Sequence, residues 1–265
     1  MFSLAGGGLE ITKDTHQVIV AELTIIGFFY AMRSCEMTHT PQDGRTKVIR
    51  LRGVKFRDKE NNVVPHSSPD LARAEWVTVT FENQKNGMKM VNRTHQRSGD
   101  SVLCPVLRLA SVVERIYRRV PNASPDTSID AIYLLTRASR VTSTDIRSSI
   151  RTTCTLAGGE KTFSFTAADL GTRSIRSGAA MALFLMNHTV AKIMMMGRWS
   201  SDAFLDYIRP QVLEWMNQMS GDMIHHDSYF DTTDPSRMKP DDPQTRSKRL
   251  RGGQESGHTR LHLHH

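Results

Sequence analysis

Cysteine is scarce in this chain. The three present, Cys35, Cys104 and Cys154, are odd in number and widely spaced. That pattern offers no disulfide framework and no zinc-ligand spacing, and it points to a reducing, intracellular compartment. Long apolar runs are missing too. The stretch Val18 to Met32 is interrupted by Glu22 and is too short to span a bilayer. No basic leader of the signal-peptide kind stands at the start, so the stretch reads as a buried core helix. No internal repeat is visible. Acidic residues are outnumbered, 27 Asp and Glu against 35 Lys and Arg, for a formal net charge of +8. An excess of this sign favours a polyanion such as nucleic acid, although acidic membrane surfaces attract the same charge. Most of the basic residues are arginine, the side chain suited to bidentate phosphate contacts.

The 265 residues suffice for one large domain or two small ones. Asp14 to Glu36 is predicted as one apolar helix, capped by Asp14 or Thr15. Three strand candidates follow: Lys47 to Phe56, Trp76 to Phe81 and Met88 to His95. The second alternates Val77, Val79 and Phe81 against Trp76, Thr78 and Thr80. Between the last two lies Gln84-Lys85-Asn86-Gly87, whose Asn-Gly pair is a strong hairpin signal because a type I′ turn needs positive φ at both central residues. Lys85 is thereby expected at a hairpin tip.

From Cys104-Pro105 the pattern turns helical, with Val106, Leu109, Val112, Val113 and Ile116 at helical spacing. Asn122 to Asp130 reads as a loop and Ile132 to Leu135 as a short apolar run. Ser143 caps a predicted helix through Leu156, closed by Gly158-Gly159. Further helices are predicted over Asp169 to Asn187, over Val190 to Met196, and around Tyr207 with Ser200 or Ser201 as its cap. Beyond about Met223 periodicity fades, and Asp231 to His265, rich in Pro, Asp, Arg, Gly and His, reads as a disordered tail. The expected fold is α+β, mainly α-helical with a small three-stranded antiparallel sheet. A lead of residues 1–13, a catalytic-type domain of 14–230 and a tail of 231–265 complete the division.

The residues that carry chemistry come in a fixed order: Arg33-Ser-Cys-Glu36, Lys85, Arg173-Ser-Ile-Arg176, Gly197-Arg-Trp199 and Tyr207. Each has a plain structural alternative. Arg33 could be a helix-end residue paired with Glu36, Lys85 a solvated loop lysine, Arg173 a basic helix start, and Trp199 and Tyr207 core residues. Taken in order, the set resembles the active site of the tyrosine recombinases, also called the phage integrase family. It is most similar in look to the eukaryotic branch carried by DIRS-like and Crypton-like mobile elements. The resemblance covers roughly Asp14 to Phe230.

The resemblance implies a DNA breaking-rejoining catalytic domain acting in DNA recombination and integration. Arg33 and Arg176 would clamp the scissile phosphate. Lys85, with Lys89 as its nearest rival, would be general acid toward the leaving 5′ oxygen. Trp199 would brace the site, and Tyr207 would attack to form a 3′-phosphotyrosyl link. The link conserves bond energy, so a second hydroxyl can reseal the strand. Arg173 stands where the family usually has histidine; it can contact a phosphate oxygen but cannot act as a base.

No metal and no cofactor is implied. The implied partners are double-stranded DNA and self-association on it, with no membrane and no small-molecule substrate. The location would be with the DNA, in the nucleus if the host is eukaryotic. The helical clamp domain that normally precedes this catalytic half is expected to be absent. The alternatives are an inactive DNA-binding relic of a mobile element and a topoisomerase-like enzyme. A metal-dependent nuclease is disfavoured, since no Asp/Glu/His cluster has ligand spacing.

Overall fold

The computed structural model describes residues 15–39, 46–84, 87–134, 137–162 and 165–201. Its first helix, α1 (His16–Phe29), begins where the Thr15 hydroxyl accepts from the Val18 N–H, and it is apolar on nearly every side. Such a helix belongs inside. Val18, Ile19, Val20, Leu23, Ile25 and Ile26 are all buried. α1 packs against α3 (Pro105–Arg119), α4 (Ser143–Leu156) and α5 (Thr172–Leu185).

The predicted helix Asp14 to Glu36 is not continuous. α1 stops at Phe29, Ala31 takes φ 45°, and a four-residue helix, α2 (Ser34–Met37), follows. Positive φ at an alanine is sterically costly and cannot be part of a right-handed helix.

The main sheet is antiparallel and has four strands rather than three. It is formed by β1 (Val54–Arg57), β2 (Val63–Val64), β3 (Trp76–Asn83) and β4 (Lys89–Gln96), in the order β2-β1-β3-β4. Val54 lies opposite Val79, and Phe56 opposite Val77. Val54, Phe56, Val77, Val79 and Phe81 face the core, as the alternation of β3 requires. The strand expected from Lys47 narrows to Val54–Arg57, because residues 51–53 form a 3₁₀ turn. A second sheet pairs β5 (Ala131–Leu134) with β6 (Arg137–Arg140). It takes up the short apolar run at Ile132, whose partner strand has no apolar signal of its own.

α4 ends at Leu156 as expected, but its cap is Thr142 rather than Ser143, which is the first helical residue: the Thr142 hydroxyl accepts from the Asp145 N–H and the Asp145 carboxylate accepts from the Thr142 N–H, a box that Ser143 would not form. Gly158 follows at φ 99°. α5 begins at Thr172 and ends at Leu185, shorter at both ends than the predicted span. α6 (Val190–Gly197) is capped by Thr189 and closes on Arg198 in the left-handed region. Among the described residues no helix is long and apolar enough to cross a membrane. The architecture is therefore α+β: six helices and small antiparallel sheets among the described residues.

Candidate functional site

The break after α1 shapes the site. In a continuous helix the carbonyls of Tyr30 and Ala31 would accept from amides four residues on. Here they accept from arginines. Arg198 Nη1 donates to the Tyr30 carbonyl at 2.7 Å, and Arg176 Nη1 donates to the Ala31 carbonyl at 2.7 Å. Tyr30 itself is anchored by its hydroxyl, which donates to the Val77 carbonyl at 3.0 Å. The turn thus delivers Arg33 to the start of α2, where its N–H and its guanidinium both bond Glu36, at 2.8 and 3.1 Å.

Arg176 lies on the first turn and a half of α5, buried. Besides Ala31 it donates to the Gly197 carbonyl at 2.5 Å, and its guanidinium carbon sits 4.3 Å from the centre of the Trp199 ring. Two carbonyls and an aromatic face fix the plane of the fork. Gly197 is required for this geometry, because a Cβ there would overlap the Trp199 ring.

Arg198 reads in the sequence as a spacer between Gly197 and Trp199. In the structure it is the largest fully buried side chain among the described residues. Its donors reach Glu36 Oε2 at 2.7 Å, Gln84 Oε1 at 3.1 Å and the carbonyls of Tyr30 and Ala31, and its guanidinium lies over the Phe81 ring. Burial pushes its pKa down to about 10, with Glu36 opposing the fall and Arg33 and Arg93 adding to it. It stays protonated at neutral pH. The Gln84 amide must turn its oxygen to Arg198, which leaves its buried Nε2 without a hydrogen-bond partner. Arg93, on β4, donates to the Met195 carbonyl at 2.6 Å and so ties the sheet to α6.

Arg33, Arg176 and Trp199 are therefore brought together around the segment from Ala31 to Glu36. Arg173 is not drawn into this network: its side chain is exposed on α5, one turn before Arg176. Lys85 and Tyr207 lie outside the described residues. The strands flanking Lys85 do pair, with Asn83 opposite Lys89, and the Gly87 N–H donates to the Gln84 carbonyl at 3.0 Å. The rival Lys89 is exposed on that hairpin.

The residues that sequence reasoning missed are Arg198, Gln84 and Arg93. Spacing gives no signal for them. Each becomes central only through a bond across the fold, such as the one joining Arg198 to Tyr30, 168 residues away.

Four guanidiniums (Arg33, Arg93, Arg176, Arg198) gather here, and Glu36 is the carboxylate that bonds two of them. Among the described residues the site carries excess positive charge, and Arg176 and Arg198 hold theirs buried, in the environment in which fixed cations act most strongly on an anion. Among the described residues no group of three or more His, Cys, Asp or Glu side chains is placed to hold a metal ion. No protein-family model matches the chain, and no curated protein matches it.

Proposed function

We infer that this chain is a DNA-binding catalytic domain of the tyrosine recombinase kind, acting on a phosphodiester through a 3′-phosphotyrosyl intermediate. The observation that carries the reading is the convergence of Arg33, Arg176 and Trp199, distant in sequence, on the turn from Ala31 to Glu36: Arg33 and Arg198 share the Glu36 carboxylate, Arg176 and Arg198 share the Ala31 carbonyl, and Trp199 stacks on Arg176. Charge in phosphoryl transfer gathers on the non-bridging oxygens, and arginines held rigidly before substrate arrives are suited to meet it. In this reading Arg33 and Arg176 clamp the phosphate, with Arg176 exchanging its bonds to the Ala31 and Gly197 carbonyls for the phosphate oxygens as substrate enters, Trp199 holds Arg176 in plane, Lys85 protonates the leaving 5′ oxygen and Tyr207 is the nucleophile.

A second reading, a DNA-binding relic that no longer cuts, is favoured by Arg173. An exposed guanidinium stands where a histidine would accept the tyrosine proton.

A nicked suicide duplex separates the two readings, since it loses its short leaving strand after attack and traps the adduct. Active chain gives a covalent protein–DNA band that disappears in Tyr207→Phe, and Arg173→His strengthens it by restoring a group that titrates near neutrality. Loss of Arg176 is expected to remove about 3 kcal/mol of transition-state stabilisation, by analogy with loss of one oxyanion donor. No adduct from the native chain or from Arg173→His, on a duplex that the chain is shown to bind, would leave the relic reading standing.

A further inference from the structure

An open cleft of about 490 Å³ lies at the far end of α2 from Arg33, between residues 47–50, the Asp126–Ser128 turn and strands β5 and β6. Its rim is basic: Lys47, Arg50 and Arg140, with His39 beside them. Val120 and Ile132 line its inner wall, and Ser139 adds a hydroxyl. Among the described residues the acidic groups facing Arg50 and Arg140 are already engaged. Asp126, exposed, accepts from both Arg50, at 3.1 Å, and Arg52. Asp130, buried, bonds the His39 N–H at 2.8 Å and lies 3.6 Å from Arg140. Ion pairs this exposed are weak, so a doubly bonding anion can draw Arg50 away from Asp126 at little cost.

We propose that this cleft binds a backbone phosphate of the same DNA whose scissile phosphate sits at Arg33 and Arg176, as a second anchoring site that sets how the duplex lies across the domain. The inference rests on the DNA reading above. Three features carry it. Arginine forks with a nearby hydroxyl match a phosphodiester's paired oxygens, and an apolar wall suits the attached sugar. The volume admits one nucleotide unit. The cleft is also tied to the candidate site through main-chain bonds: the Ile49 N–H donates to the Glu36 carbonyl and the Ile129 N–H to the Ile49 carbonyl, at 3.0 Å each. Arg33 and His39 are six residues apart, so their backbones lie within about 20 Å at full extension. That span is at most about six nucleotides along one strand at 3.4 Å each.

The test is duplex binding by the full chain, followed by fluorescence anisotropy between about 50 and 200 mM salt. In Arg50→Gln/Arg140→Gln the slope of log affinity against log salt should become shallower by about 0.9 for each phosphate that is no longer neutralised. Lys47→Ala, at an exposed position, should show the same trend even if the double variant folds poorly, as a thermal melt would reveal. An unchanged slope in folded variants, beside a steeply salt-dependent native chain, overturns the cleft assignment and leaves the DNA reading intact. A native chain that does not bind duplex overturns the DNA reading and this proposal with it. An AMP titration forms the second arm: saturation that duplex does not compete away, and that the variants abolish, would assign the cleft to free nucleotides and overturn the backbone role.

Discussion

Glu36 and Arg198 decide most of what happens at the residue scale. Their bond is buried at both ends, and the carboxylate also holds the N–H and guanidinium of Arg33. A buried pair adds little net stability over apolar packing, but removing one partner strands a charge and costs about 3–5 kcal/mol. Arg198→Ala is therefore expected to lower unfolding free energy by about that much in urea titration, and Glu36→Gln to do likewise. Removing both should cost less than the sum, because neither charge is then left alone. Arg198→Lys should not rescue the site: a single ammonium cannot reach the acceptors of Glu36, Gln84, Tyr30 and Ala31 in one geometry. Additive losses in the double variant would show that the two groups act independently, contrary to their 2.7 Å bond.

The instructive element is the interrupted helix from α1 to α2. Every residue from Asp14 to Glu36 is compatible with a helix on local grounds, and the interruption carries neither proline nor a new glycine. It exists because the carbonyls of Tyr30 and Ala31 gain more from buried guanidiniums than from the next helical amides. Tertiary bonding overrides propensity here. Ala31→Gly reports directly on this. In a continuous helix the change would cost about 1 kcal/mol. At φ 45° glycine instead relieves strain, so the variant is expected to equal or exceed the native chain in stability, by up to about 1 kcal/mol. A drop of a full kcal/mol in chemical denaturation would mean that Ala31 is helical in solution.

For the molecule as a whole, the elements with a strong period were legible and the long-range ones were not. The buried run of Val77, Val79 and Phe81 and the end of α4 followed from alternation and a closing glycine, while the cap of α4 fell one residue earlier than read, on Thr142. β2 has two residues, and the β5–β6 hairpin lacks an obvious turn signal, so neither announced itself. In the site, Arg33, Arg176 and Trp199 were legible as motif members, whereas Arg198 was not, because its partners lie in the turn after α1, on α2 and β3 and in the turn after β3.

One such long-range interaction sets how stability varies with pH. His95, on β4, is held against the end of α1. Its Nε2 lies 2.9 Å from the Phe29 carbonyl and its ring packs edge-on to Tyr30 at 4.7 Å. Burial holds its pKa below the ordinary value of 6.5, outweighing the opposite pull of the Phe29 carbonyl. The folded state therefore favours the neutral ring. Its contribution is complete above the unfolded-state value and is lost as pH falls below about 6.5 through the folded-state value, because the unfolded chain then takes up the proton more readily. The melting temperature is expected to decline from pH 7 toward pH 5. In His95→Gln, whose amide can still donate to Phe29, that decline should flatten, even if the variant is less stable at pH 7. An identical pH profile in the variant would place the sensitivity elsewhere than at the joint between the sheet and α1.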